Sequence, residues 1–217
     1  VPLPETARLP FAVKPKKALT VADITVPLRD HYENTPYEPE PGYSKKTAHK
    51  RHTSCICGPY TNSSHVFQLR GKMPVEIGAV WWLAVRQPCS VPYVPFYLGG
   101  DAVPEQYRFE TDPDAYTAGG NSPLPIPGTA YLTFGGLAKW VDDDYAGRIP
   151  LLRARWNTLE DGCCRYQKTF ENHLLKEWGK NPAYVRALMS RYTQGIIARA
   201  VQDAKELMGG RTEQAGR

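Results

Sequence analysis

The nine-residue segment HKRHTSCIC contains two histidines and two cysteines, namely His49, His52, Cys55 and Cys57. Their nitrogen and sulfur atoms are ligands that tetrahedral Zn²⁺ prefers. Their spacing argues against a zinc site, because zinc modules usually separate two ligand pairs by a loop. Cys55 and Cys57 flank Ile56 and are predicted to lie in a strand as buried core residues. The sequence therefore predicts no bound metal and no cofactor.

The five cysteines also raise the question of a thiol nucleophile. Cys163 and Cys164 are adjacent, and strain argues against a disulfide between them. The number of cysteines is odd, and the chain is too large to need disulfide bonds for its stability, so mostly reduced thiols are predicted. Reduced thiols favour a cytoplasmic location. Cys55 or Cys57 beside His65 would make a Cys–His pair, but core packing is the favoured interpretation.

A third cluster lies in the polar turn GPYTNSSH, residues 58–65. Asn, Ser and His side chains at the entry of a strand are donors of the kind that an oxyanion or a substrate amide needs. A turn that uses Asn and Ser only for local hydrogen bonds would have the same composition. Both interpretations stay open from the residues alone.

The elements before these clusters follow from composition and hydrophobic periodicity. Residues 1–18 are rich in proline and lysine and predict an extended arm. Thr20 is predicted to cap a helix that ends before Pro36 and that Pro27 kinks or shortens.

The segment 53–98 predicts β structure. Residues 64–70 alternate and residues 77–85 are continuously apolar, which predicts a hairpin whose second strand is covered on both faces. Residues 91–98 predict a third strand, which its two prolines push towards a sheet edge.

The second half of the chain is predicted to be helical after a long loop at residues 99–128. Asn181 should cap the last helix, with Pro182 in its first turn. Grouped strands followed by grouped helices predict an α+β fold with an antiparallel sheet packed against helices. The single domain is predicted to comprise the arm (1–18), a helix, strands and long loop (19–128), a helical region (129–208) and a tail (209–217).

Composition narrows the classes of partner. No apolar run approaches the roughly 20 residues that a membrane-spanning helix requires, so no membrane is expected. The net charge of +5 is concentrated in basic clusters within residues 14–17 and 45–52. No aromatic residues are interleaved with them as base stacking would need, so nucleic acid is not expected.

The segments LRDHYENTPY (28–37), CICGPYTNSSHVFQLR (55–70), EIGAVWW (76–82) and YVPFYLG (93–99) occur in an order and spacing that, taken together, are specific. With RYT at 191–193, they resemble the dipeptidase A type of cysteine peptidase, family C69. The resemblance covers the chain from about residue 20 to residue 208, and no one segment is diagnostic by itself.

That family is similar to the N-terminal nucleophile hydrolases, which implies part of an αββα sandwich of two stacked antiparallel sheets. The implied chemistry is attack on a peptide carbonyl by an N-terminal cysteine thiolate, with its α-amine handling protons. This chain begins with Val1. We therefore expect the C-terminal domain of a dipeptidase whose nucleophile lies on an N-terminal part, inactive alone, with an exposed apolar sheet face.

The resemblance also implies roles for single residues. Asn62, Ser64 and His65 are expected to face the catalytic centre in supporting roles, while Tyr60 and Arg70 are weaker candidates for substrate contact. The expected partners are a short peptide substrate, the N-terminal half of the same enzyme and a second copy of the chain in a homo-oligomer.

Two other classes of function stay open from the sequence. One is a zinc- or nucleic-acid-binding module built on the basic run at residues 45–52. The other is a non-catalytic interaction subunit that has lost its catalytic function.

Overall fold

A computed structural model describes residues 14–38, 41–43, 47–49, 55–108 and 129–209. Within them, three strands form one antiparallel sheet in the order β1-β2-β3, and long helices follow, which confirms the predicted α+β class. The helices and strands are α1 (Val21–Thr25), β1 (Ser63–Leu69), α2 (Val75–Gly78), β2 (Ala79–Val85), β3 (Val94–Tyr97), α3 (Ala130–Asp142), α4 (Tyr145–Trp178) and α5 (Pro182–Gly209). Short 3-10 turns lie at Pro27–Arg29, Pro41–Tyr43 and Glu105–Tyr107.

The first helix begins with the predicted cap and is short. The Thr20 side chain accepts a hydrogen bond from the Asp23 amide, and the Asp23 carboxylate accepts one from the Thr20 amide, which forms a capping box. The helix ends at Thr25 because Pro27, which has no amide hydrogen, begins a 3-10 turn instead. The predicted shortening at Pro27 is confirmed.

The hairpin is confirmed, although its second strand begins later than predicted. Phe67 on β1 lies opposite Trp81 on β2, which in turn lies opposite Phe96 on β3. The residues at 77 and 78 belong to the helical turn α2, which starts directly after Pro74. The third strand is shorter than predicted, and it lies at the sheet edge as its prolines require.

The strand predicted around Cys55 and Cys57 is wrong. Both cysteines lie in irregular structure before the turn at residues 59–60, where the Thr61 amide donates to the Gly58 carbonyl at 3.1 Å. The Cys57 amide donates to the Asp30 carbonyl at 3.1 Å instead of to a neighbouring strand. Cys57 is fully buried, as predicted, but it contacts the segment that follows α1 rather than a neighbouring strand.

The two faces of the sheet have different surroundings. The inner face packs against the helices and contains Val66, Val80 and Trp82, which join the main hydrophobic core. The outer face is open along β1, where Phe67 and Leu69 are 57% and 71% exposed, whereas Leu83 on β2 and Val94 on β3 are buried on the same face. The exposed apolar sheet face that the sequence predicted is thus present along β1.

Two carboxylates of α4 attach the long helix to the rest of the fold. Glu160 accepts a hydrogen bond from Arg29 at 3.0 Å, next to the 3-10 turn that follows α1. Glu171 accepts from Arg70 at 2.6 Å and from the Tyr97 hydroxyl at 3.0 Å. Helix α4 is therefore tied at one point to the N-terminal segment and at another to the sheet.

The last helix starts where the sequence predicted. The Asn181 side chain accepts from the Tyr184 amide at 3.0 Å, and Val185 and Met189 are fully buried. Most of the predicted arm, residues 109–128 of the predicted loop and most of the predicted tail lie outside the described residues. Across the described helices, none combines the length and apolar character needed to cross a bilayer.

Candidate functional site

His65 lies on the open outer face of the sheet and is exposed. Its ring stacks on Trp81 with 5.5 Å between centroids and 13° between planes. The Trp81 indole N–H donates to His65 Nδ1 at 3.1 Å, while Nε2 lies 2.8 Å from Ser63 Oγ. Because an indole nitrogen can only donate, Nδ1 must be unprotonated, and the ring proton lies on Nε2. His65 therefore has a fixed orientation at the surface, and its Nε2–H donates to Ser63 Oγ.

Ser64 lies on the opposite face from His65, because consecutive strand residues point to opposite sides. It is 8% exposed, and its hydroxyl is 2.6 Å from that of the buried Tyr93. The structure therefore does not bring the Ser64 and His65 side chains together. The polar turn supplies one group to the outer face and one to the interior.

Asn62 and Tyr60 lie at the entry of β1 on the surface. The Asn62 carbonyl accepts from the Arg86 amide at 2.7 Å, which closes the sheet end, and its side chain is exposed. Tyr60 is 72% exposed in the preceding turn. Both residues are accessible to a ligand at the same end of the strand.

Arg70 is held inside the fold. Besides its ion pair with Glu171, it donates to the carbonyl oxygens of Ile77 and Gly78, each at 3.3 Å. Glu171 is 3% exposed, so this guanidinium compensates a buried carboxylate. The geometry gives Arg70 a structural task, and the substrate contact that the resemblance implied stays a prediction.

Changing Arg70 to alanine is expected to lower the free energy of unfolding by about 3 kcal/mol, because Glu171 would remain buried without its cation. Urea denaturation measures this effect. The control is Arg165→Ala, an exposed arginine on α4, which should stay within about 0.5 kcal/mol of the unmodified protein. An Arg70→Ala protein of unchanged stability would leave substrate contact as its only role.

A second polar cluster lies in the interior, and sequence reasoning found only half of it. The ligand atoms of four side chains lie within 4.8 Å of one another, and these are His31, His49, Cys57 and Cys89. The sequence had grouped His49 and Cys57 with His52, which lies outside the described residues, and with Cys55.

The grouping with Cys55 is wrong, since the Cys55 thiol instead donates to the Cys57 carbonyl at 3.0 Å. His31 belongs to the LRDHYENTPY segment, and Cys89 follows Pro88. No short ligand spacing links either residue to the other two. Only the fold brings the four side chains together.

The electrostatics of the cluster favour a thiolate among imidazoles. Hydrogen bonds from Cys89, His31 and His49 hold the pKa of the Cys57 thiol well below its ordinary value. Burial and the neighbouring Cys57 sulfur raise the pKa of Cys89. Burial lowers the pKa of His49, but the hydrogen bonds to Asp142 and Cys57 together outweigh burial and raise this pKa above its ordinary value, to about 9.

Comparison with known proteins gives related sequences that are all named as dipeptidases. A probable dipeptidase of Latilactobacillus sakei is 33% identical over 107 residues, which is 48% of this chain and 22% of that protein. Probable dipeptidase B of Lactococcus lactis subsp. lactis (strain IL1403) is 31% identical over 105 residues, with the same coverage of both chains. Dipeptidase A of Lactobacillus helveticus is 29% identical over 101 residues, 46% of this chain and 21% of its own length.

The chain thus spans about a fifth of the length of these relatives. A family profile described as Peptidase family C69 matches residues 2–154, which is more than half of the chain. The matched range contains α1, the whole sheet, the cysteine–histidine cluster and α3. The chain therefore belongs to peptidase family C69.

Proposed function

We propose that this chain forms one wall of a peptide-hydrolysing site in a dipeptidase that cleaves short peptides with a cysteine nucleophile. The observation that carries the proposal is the family match over residues 2–154. The dipeptidase names of the relatives support the same reaction class.

The open outer face of the sheet is the proposed wall. It offers a flat aromatic surface, on which Trp81 stacks with both His65 and Phe67, and polar groups at its Asn62 end. An extended peptide needs donors and acceptors beside an apolar surface, and this face supplies both. We assign Tyr60, at the same end, to substrate contact.

His65 and Asn62 are assigned supporting roles in the reaction. Attack of a thiolate on a peptide carbonyl places negative charge on the carbonyl oxygen, which positioned N–H donors stabilise. We assign this role to the His65 Nε2–H, because the Trp81 indole fixes the other ring nitrogen as an acceptor. On binding, this N–H would exchange its present acceptor, Ser63 Oγ, for the substrate oxygen. Ser64 acts from the inner face, where its hydrogen bond to Tyr93 fixes the position of β1.

The five cysteines argue that the nucleophile comes from elsewhere in the protein. Cys57, Cys89 and Cys163 are at most 3% exposed, so a peptide cannot reach them. Partial burial raises the pKa of Cys55 and of Cys164, so their thiols are poorly ionised. The proposal therefore assigns the nucleophile to an N-terminal part of the enzyme outside these 217 residues.

The test compares the complete gene product that contains this chain with the chain alone, on a panel of dipeptides. We expect the gene product to release amino acids and the chain alone to release none. His65→Ala in the gene product should lower kcat by about 100-fold, the effect of removing one oxyanion donor. His173→Ala, an exposed histidine on α4, is the matched control and should leave kcat unchanged.

The outcomes separate the parts of the proposal. A gene product that cleaves no dipeptide would favour the non-catalytic interaction subunit. Turnover by the chain alone would instead overturn the assignment of the nucleophile, and Cys55 and Cys164 would then be changed first.

A further inference from the structure

The interior cluster has the dimensions of a tetrahedral metal site. A zinc ion with ordinary bond lengths separates two nitrogen ligands by about 3.3 Å and a nitrogen from a sulfur ligand by about 3.6 Å. The Nε2 atoms of His31 and His49 are 3.2 Å apart. His49 Nε2 lies 3.4 Å from Cys89 Sγ and 3.7 Å from Cys57 Sγ. These three distances match those around one ion, and all four ligand atoms lie within 4.8 Å of one another.

Both histidine rings are oriented as metal ligands would be. His31 Nδ1 lies 3.2 Å from a Glu33 carboxylate oxygen, and His49 Nδ1 lies 2.9 Å from one of Asp142. Because an ionised carboxylate only accepts, each Nδ1 atom carries a proton that it donates to its carboxylate. Each ring therefore turns its Nε2 atom into the cluster, and the two Nε2 atoms are 3.2 Å apart. This carboxylate–histidine arrangement is the one that orients histidine ligands in metal sites.

Without an ion, these two nitrogens and two sulfurs can satisfy one another only by sharing a few protons, and sulfur forms weak hydrogen bonds. Buried polar atoms in folded proteins are almost always satisfied. A divalent cation satisfies both nitrogens and both sulfurs at once. With two thiolates and two neutral imidazoles, the unit of ion and ligands has no net charge, so its burial carries little penalty.

Burial shows which kind of metal site this would be. His31, Cys57 and Cys89 are at most 1% exposed, and the His49 side chain is 4% exposed. The buried Tyr145 ring closes the site, with 5.5 Å between its centroid and that of His31. Four protein ligands with no access for solvent are typical of structural zinc sites, whereas catalytic sites keep one position open.

We propose that His31, His49, Cys57 and Cys89 bind one Zn²⁺ ion in a closed structural site. Two nitrogen and two sulfur ligands select zinc over magnesium or calcium, which prefer oxygen. The ion joins the segment after α1, residues 47–49, the segment before β1 and the loop between β2 and β3. It holds together loops that contribute little regular secondary structure of their own.

The first measurement is the metal content of the chain purified without chelator, followed by exchange for Co²⁺. We expect one zinc per chain and, after exchange, the intense visible bands and thiolate charge-transfer band of tetrahedral cobalt. Native mass spectrometry should give the mass of the chain plus one zinc with all cysteines reduced. Removing zinc with a chelator should lower the Tm, and adding zinc back should restore it.

Variants assign the ligands. Cys89→Ser and His49→Ala should lose stoichiometric zinc and the cobalt charge-transfer intensity. Cys55→Ser and His52→Ala, the neighbours that sequence spacing would choose, should keep one zinc. Cys163→Ser is the matched control, since this cysteine is equally buried but lies in α4.

Three results would overturn the proposal, and the first two do not require the ligand variants to fold. One is an unmodified chain that contains no zinc and takes up neither zinc nor cobalt. A second is a disulfide between Cys57 and Cys89 in the native mass. A third is loss of the metal in Cys55→Ser or His52→Ala while Cys89→Ser keeps it.

Discussion

Replacing Arg29 with alanine is expected to lower the free energy of unfolding by about 3–5 kcal/mol, the cost of breaking a buried ion pair from one side. Arg29 and Glu160 are each 13% exposed, and the carboxylate accepts from two nitrogens of the guanidinium. The variant would leave Glu160 charged and buried. It would also remove the donor that bonds the Pro88 carbonyl at 2.8 Å.

Urea denaturation of Arg29→Ala measures this loss. Lys180→Ala is the control, because Lys180 pairs with Glu177 through a side chain that is 70% exposed and should contribute less than about 1 kcal/mol. A double variant, Arg29→Met with Glu160→Leu, should lose less than the sum of the two single changes. Strict additivity would mean that the pair is not coupled and that the predicted mechanism is wrong.

Trp82→Ala is expected to cost a similar 3–5 kcal/mol, because truncating a large buried side chain loses its transfer free energy and leaves a cavity. Trp82 is 1% exposed at the centre of the inner face of β2. Its indole N–H lies 3.4 Å from the Gln68 side-chain oxygen, so the variant also removes a donor from the interior. Thermal or urea unfolding gives the size of the loss.

Trp81→Ala is the matched control, since the same side chain is removed one residue away on the open face. Its cost in stability should be smaller, about 1–2 kcal/mol, because Trp81 is half-buried and contacts mainly His65, Phe67 and Phe96 on that face. Equal losses for the two variants would mean that both faces are covered in the isolated chain. That result would contradict the open outer face described above.

Much of the fold could be predicted from local patterns. The capping box at Thr20, the cap at Asn181 and the alternating residues of β1 each depend on contacts within a few residues, and each is confirmed. The error at Cys55 and Cys57 has a non-local cause. Cys57 bonds to Asp30, 27 residues earlier in the chain, and no periodicity in the sequence reports such a contact.

The candidate site was harder to predict for the same reason. Which face His65 and Ser64 occupy follows from strand alternation, so their separation could have been deduced from the sequence. The partner of Arg70 could not, because Glu171 lies 101 residues later in the chain. The cysteine–histidine cluster combines ligands from four separate segments, so ligand spacing identified two of the four.

The two carboxylates of α4 that bind Arg29 and Arg70 have an evolutionary consequence. Glu160 and Glu171 are eleven residues apart, which is almost a whole number of helical turns and about 16 Å along the axis. Inserting or deleting one residue between them would rotate one carboxylate by about 100° and detach it from its arginine. Length variation among related chains should therefore be excluded from this part of the helix, even where single substitutions are tolerated.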